Sequence, residues 1–190
     1  MMFVKLNKTF QTPLYATLNE LLSWAGLDGR GVQHKKIWSP DSEQLYSVIP
    51  NRYWDDFELT IMTINSQLLP HIDNDLITAV NFYIDPGNYR TVFYKPKADA
   101  EYFQPKVEVS GTAVPLEEQI GYVDAVYQLD EVDEIGTFIA NPNEAYLLDV
   151  REIHNVVPLG ETTLRKALAL RTKKYVYDEV LEMLKQTGHV

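Results

Sequence analysis

His71 and Asp73 stand two residues apart in Pro70-His71-Ile72-Asp73-Asn74-Asp75. Along an extended strand alternate side chains share a face, so this spacing offers an imidazole and a carboxylate side by side, roughly 7 Å apart at the backbone. Both groups can reach one ion, and the pair suits a divalent first-row metal. Pro, Asn and Asp also populate turns, so the motif alone reads first as a surface turn. A metal needs further ligands. The chain has four histidines and no cysteine. The missing cysteine removes thiolate ligation, disulfides and a cysteine nucleophile. His34 lies beside Lys35 and Lys36 in a stretch, 27–38, that reads as solvated loop, and His189 lies in a C-terminal tail that reads as frayed. His154, within the β-rich stretch 149–157, is the remaining candidate. Two neutral imidazoles and one carboxylate make a facial triad. Such a triad cancels one charge of Fe²⁺, covers one face of an octahedron and leaves the opposite face for a chelating co-substrate and dioxygen.

Leu164-Arg165-Lys166-Ala167-Leu168-Ala169-Leu170-Arg171 adds a second kind of chemistry. The run alternates. One face carries Arg165, Ala167, Ala169 and Arg171, the other Lys166, Leu168 and Leu170. Two alanines between two arginines leave space and set positive charge around it. A guanidinium suits a carboxylate because its planar fork donates two parallel hydrogen bonds. The arginines are roughly 20 Å apart along the strand, and side chains of their length could still approach the two ends of a small dianion. The plain alternative is that both are ion-paired with the chain's many acids.

Strands must position these groups. Twelve Tyr and seven Phe in 190 residues favour β structure. The stretch 57–64 is β-rich and leads to the His71 motif. Residues 76–84 form a nearly continuous apolar strand, and Asp85-Pro86-Gly87-Asn88 is a turn before a returning strand at 89–95, a hairpin pattern. Further strands are expected at 135–140, 145–148, 153–158 and 164–177, with a turn at Asn141-Pro142-Asn143-Glu144. Helices flank them. Thr17-Leu18-Asn19-Glu20 reads as a capping box before a helix that Gly26 stops, Ser39-Pro40-Asp41 opens a short helix to about Val48, and Asp178-Glu179 opens a terminal one. Residues 96–128, with Pro105, Gly111, Pro115 and Gly121, read as long loops with short strands, either a lid or an edge covering. The pattern is one domain over 1–190: a helical part at about 1–56, a β core at about 57–177 and a C-terminal helix at about 178–186. The fold class is mainly β with flanking helices, an antiparallel double sheet or jelly roll.

The net charge of −10 argues against nucleic acid as partner. No apolar run approaches the ~18 residues of a membrane span, and the start lacks a signal-peptide pattern, so a cytoplasmic protein is expected. Oligomeric state has no signature.

His71-x-Asp73, His154 and Arg165 together resemble the Fe(II)- and 2-oxoglutarate-dependent oxygenases, in particular the prolyl-4-hydroxylase-like group with its short phage and bacterial members. The strand 79–84 is similar to the family's strand after the proximal ligands. Gly87-Asn88-Tyr89-Arg90-Thr91-Val92-Phe93 is similar to its Gly-rich hairpin ending in Thr-x-Phe, without the usual second glycine. The Arg165-to-Arg171 spacing resembles the paired arginines of the AlkB-type branch. The resemblance covers roughly 57–95 and 135–175. It implies a double-stranded β-helix in which His71, Asp73 and His154 hold Fe(II), and Arg165 meets the distal carboxylate of 2-oxoglutarate. Asn81, Tyr83, Thr91 and Arg171 are pocket candidates. Dioxygen would be consumed, 2-oxoglutarate converted to succinate and CO₂, and a protein side chain or small molecule hydroxylated. A non-catalytic jelly-roll binding module and a cupin-type metalloenzyme without 2-oxoglutarate stay open beside this reading.

Overall fold

Residues 78–85 and 165–172 are buried along most of their length, on both faces. A strand of that kind needs a layer on each side. The computed structural model describes residues 1–10, 32–36, 43–65, 68–73, 76–103, 123–161 and 163–190. Among them are twelve strands: β1 (Phe3–Lys5), β2 (Val32–Lys36), β3 (Glu58–Ile64), β4 (His71–Asp73), β5 (Thr78–Asp85), β6 (Tyr89–Pro96), β7 (Tyr102–Phe103), β8 (Val123–Tyr127), β9 (Val132–Ile139), β10 (Ala145–Asp149), β11 (His154–Pro158) and β12 (Arg165–Thr172). They form two six-stranded sheets. The first runs β1-β10-β5-β12-β3-β2, the second β7-β8-β4-β11-β6-β9. Every pairing is antiparallel. The protein is a mainly β jelly roll with few helices.

The core has three layers. Between the sheets pack Met62, Ile64, Ala79, Tyr83, Phe93, Phe138, Tyr146, Leu148, Val156 and Ala167. Phe138 stacks on Tyr146 at 4.1 Å between centroids, and Phe3 stacks on Phe93 at 5.5 Å, each pair joining the two sheets. The outer face of the first sheet carries Leu59, Ile61, Val80, Phe82, Leu147, Leu168 and Leu170 against Val180, Met183 and Leu184 of helix α2 (Tyr177–Gln186). The outer face of the second sheet has its own cluster of Val92, Tyr94, Ala125, Tyr127, Val132 and Ile153. In β12 the alternation is therefore functional in packing terms. Leu168 and Leu170 face the helix, and Ala167 faces the interior.

The structure departs from the sequence expectations at several places. The hairpin expected over 76–95 is a crossing between sheets: β5 pairs with β10 and β12, β6 with β11 and β9. The turn itself is present, with Gly87 at φ 65° and Asn88 at φ 59°, but a turn signal does not say which sheet each strand joins. The loop expected at 27–38 contains β2, which pairs with β3 at the rim of the first sheet. Its polar, lysine-bearing sequence is typical of an edge strand. His189 is not frayed: it is 7% exposed, its N–H donates to Leu184 O (2.8 Å), and its own carbonyl accepts from Asn7 N–H (2.8 Å). Gly188, at φ 72°, turns the chain back to make this possible.

In the N-terminal part, the described residues hold β1 and β2 besides two helical turns, α1 (Glu43–Tyr46) and a 3₁₀ turn at Asn51–Asp56. The last strand ends at Thr172 rather than at 177. The helix expected after Thr17, the helix start at Ser39-Pro40-Asp41, the residues Asn74 and Asp75, and positions 104–122 of the candidate lid lie outside the described residues.

Candidate metal centre

β4 is three residues long and lies between β8 and β11 in the second sheet. Its register with β11 sets His71 directly opposite His154. Directly opposed residues in an antiparallel pair point to the same face, so the two imidazoles meet, 4.7 Å apart between ring centroids. Asp73, two residues along β4, joins them from the same face. Its Oδ1 is 3.5 Å from His71 Nε2 and 3.9 Å from His154 Nε2. One ligand atom from each of the three residues falls within 4.8 Å of the others. Ligands bound at about 2.1 Å to one metal are roughly 3.0–3.4 Å apart when adjacent, so a modest contraction closes the set around an ion. Both histidines are more than nine-tenths buried, at 7% and 9% exposure.

Each ring is oriented by a carbonyl two residues upstream. His71 Nδ1 lies 2.8 Å from Leu69 O, and His154 Nδ1 lies 2.9 Å from Glu152 O. A carbonyl only accepts, so each Nδ1 carries the proton and each Nε2 keeps its lone pair for a metal. Burial, reinforced by the neighbouring His71, pushes the His154 pKa down to about 4, which holds that ring neutral. His71 moves the other way. Burial lowers its pKa, but the hydrogen bond and charge of Asp73 outweigh it and the net shift is upward. A divalent ion between His71 and Asp73 would replace the proton that this pair attracts. The donor set thus fits a metal of the Fe²⁺ or neighbouring first-row class.

Arg165 stands at the start of β12, in the opposite sheet, and is 2% exposed. Its Nη2 donates to Tyr83 Oη (2.9 Å, from β5) and to Thr91 Oγ1 (3.0 Å, from β6), and its guanidinium carbon lies 4.8 Å from the Tyr83 ring centroid. Its Nε has no hydrogen-bond partner among the described residues, and no described carboxylate forms a salt bridge with it. The His154 ring feels its charge. A buried guanidinium with only neutral partners is a place for an anion. Its fork fits a carboxylate.

The other two pocket candidates are placed differently. Asn81 is 7% exposed, between Ala79 and Tyr83 on the inner side of β5, with its Oδ1 unpartnered among the described residues. Arg171 lies at the far end of β12 from Arg165, with Nη2 3.3 Å from Glu58 Oε1. It has an ion pair of a kind that Arg165 does not have among the described residues. The structure therefore brings together His71, Asp73 and His154 at one locus, and Arg165, Tyr83 and Thr91 at another. Sequence reasoning missed the carbonyls of Leu69 and Glu152. Backbone acceptors carry no residue-type signal, and only the strand geometry reveals them.

No family model matches the sequence, and no curated protein matches it. Similar solved structures include HygX from Streptomyces hygroscopicus with nickel and 2-oxoglutarate bound, at 10% identity and TM-score 0.49, covering 92% of this chain and 84% of that one. Another is SnoN, a non-heme alpha-ketoglutarate-dependent epimerase from nogalamycin biosynthesis, at 7% identity and TM-score 0.42, covering 89% of this chain and 77% of that one. A third is the vicilin from Solanum melongena, at 14% identity and TM-score 0.37, covering 76% of this chain. This chain spans 28% of that vicilin's length.

Proposed function

We propose that this protein is an Fe(II)- and 2-oxoglutarate-dependent oxygenase that hydroxylates a small molecule or a protein side chain. The observation that carries the reading is the pairing of a His/His/Asp donor set with the buried Arg165, which has no carboxylate partner among the described residues. A metal site alone fits many chemistries. A metal site with a buried cation on the facing sheet fits a ligand that is both a chelator and an anion.

The residues divide the work. His71, His154 and Asp73 would hold the metal through two Nε2 atoms and a carboxylate oxygen. Two neutral rings and one anion leave a divalent ion with net positive charge, which favours an anionic chelator. Arg165 would take the far carboxylate of that chelator. Because Arg165 donates to the oxygens of Tyr83 and Thr91, both hydroxyl protons stay available to donate to the same carboxylate. Apolar neighbours between the sheets, including Met62, Phe93 and Val156, exclude water from the space. When bound, iron and 2-oxoglutarate supply oxidation of a substrate C–H bond by dioxygen, with one oxygen atom entering the product and the other the succinate released beside CO₂. Within this reading, the sequence pattern favours the prolyl-4-hydroxylase-like branch.

Anaerobic addition of Fe²⁺ and then 2-oxoglutarate tests the proposal. A visible charge-transfer band is expected for the wild type and should vanish in His154→Ala. Once dioxygen is admitted, succinate release should require both additions and be lost in Asp73→Ala. A protein that binds Fe²⁺ but gives no band and no succinate would instead be a metalloprotein that does not use 2-oxoglutarate.

A further inference from the structure

Two of the chain's crossings between the sheets meet at the end of the sandwich that holds Arg165. The turn at 86–88 carries the chain from β5 in the first sheet to β6 in the second. The connection at 159–164 carries it from β11 in the second sheet to β12 in the first. The two crossings are fastened together. Leu159 N–H donates to Asn88 O (3.0 Å), Thr163 N–H donates to Gly87 O (3.2 Å), and Asn88 Nδ2 donates to Glu161 O (2.9 Å). Asp85 Oδ1 accepts from Gly87 N–H (3.0 Å) and holds the turn in place.

Gly87 packs directly against the backbone of the second crossing. A Cβ built there would lie 2.5 Å from Thr163 O, 2.7 Å from Arg165 N and 2.9 Å from Arg165 Cα. All three are backbone atoms, so no side chain can swing aside to make room. Any residue larger than glycine must displace the backbone that carries Arg165. The partners of the guanidinium, Tyr83 and Thr91, sit on the two strands that this same turn joins.

We infer that Gly87 is a positioning residue for anion binding: its missing side chain lets the β5–β6 turn seat against the backbone of Arg165 and aim the guanidinium at a carboxylate. This rests on the proposed use of 2-oxoglutarate. It adds that affinity for the co-substrate is set by a turn residue that does not touch it, while metal affinity is not.

Gly87→Ala is the test, read by anaerobic titration of 2-oxoglutarate into the Fe²⁺ protein and by separate titration of Mn²⁺ alone. Misplacing a binding group by a fraction of an ångström is expected to raise the 2-oxoglutarate dissociation constant at least about tenfold, with the Mn²⁺ constant within about twofold of wild type. Gly188→Ala controls for backbone strain. Gly188 has a similar left-handed φ of 72° with nothing within 4 Å of an added Cβ. It should lower Tm and leave 2-oxoglutarate affinity alone. Asn88→Gly keeps the left-handed turn, removes the bond to Glu161, and should weaken 2-oxoglutarate about threefold, as expected for one lost hydrogen bond. It decides the matter if Gly87→Ala does not fold. Wild-type protein that binds no 2-oxoglutarate overturns both the functional reading and this inference. Wild-type protein that binds it, with unchanged affinity in Gly87→Ala, or in Asn88→Gly where Gly87→Ala does not fold, overturns this inference alone. So does an equal loss in Gly188→Ala.

Discussion

Leu69 O and Glu152 O fix the tautomers of His71 and His154 before any ion arrives. The two rings therefore present lone pairs at no rotational cost, and Asp73 supplies the only negative charge among the three. Asp73→Ala should weaken Mn²⁺ binding by at least about 100-fold, more than loss of an outer hydrogen-bond partner does, as measured by competition with a metal indicator. Arg165 makes an opposite pair of demands. It is buried without a carboxylate among the described residues, which costs stability in the absence of ligand. Arg165→Met should leave Tm of the ligand-free protein unchanged or higher. It should also weaken 2-oxoglutarate by about 3 kcal/mol or more, roughly 100-fold, because the buried charge pair cannot form. Seeing the ligand-free variant strongly destabilised would mean that the contacts with Tyr83 and Thr91 already offset the burial of the charge.

At the scale of elements, the turn from β9 to β10 is held by one carboxylate. Glu144 Oε2 accepts from Asn141 N–H (3.0 Å) and Tyr146 O–H (3.1 Å), and Oε1 accepts from Asn141 Nδ2 (3.0 Å) and Lys5 Nζ. Burial would raise its pKa, but Lys5, Asn141 and Tyr146 outweigh that and bring it to about 2. The sign follows from linkage. The unfolded chain takes up this proton near the ordinary pKa of about 4.3, the folded chain only near 2, so the stabilisation is whole above about 4.3 and is lost as pH falls through 2. Glu144→Gln should flatten that acid limb in urea titrations and cost about 1–3 kcal/mol at neutral pH through unsatisfied donors. On the other side of the first sheet, Leu184 of α2 is fully buried. Leu184→Ala should cost about 2–5 kcal/mol in denaturant unfolding and leave metal affinity as it is, because α2 packs on the outer face. The sequence was most readable where an element's period and its burial agree. The i, i+2 spacing of His71 and Asp73, the small inner face of β12 and the charged start of α2 were all visible. It was silent where the outcome depends on a partner strand. The Asp85–Asn88 turn announces itself, but nothing in it says that β5 and β6 belong to different sheets. β2 becomes a strand because β3 offers it an edge. His189 is held by contacts whose other halves lie at Asn7 and Thr187.

For the molecule as a whole, the candidate metal ligands come from the second sheet and Arg165 from the first. Ligand binding to the native state alone raises stability by about 2.7 kcal/mol at a hundredfold excess over Kd. For a chain of this length that is a Tm increase of roughly 5–10 °C. Calorimetry with Mn²⁺, then with Mn²⁺ and 2-oxoglutarate, should show two successive increases, and only the second should depend on Arg165. The placement of the two half-sites has a mechanical side as well. A molecule chelated on one layer and gripped on the other is a strut across the sandwich, and it resists any breathing motion that parts the layers. Amide exchange in β6 and β12 should slow when it binds. Under the proposed function, the layers would be free to part again once the far carboxylate let go, and departure of product would become a matter of how easily two sheets separate at one end.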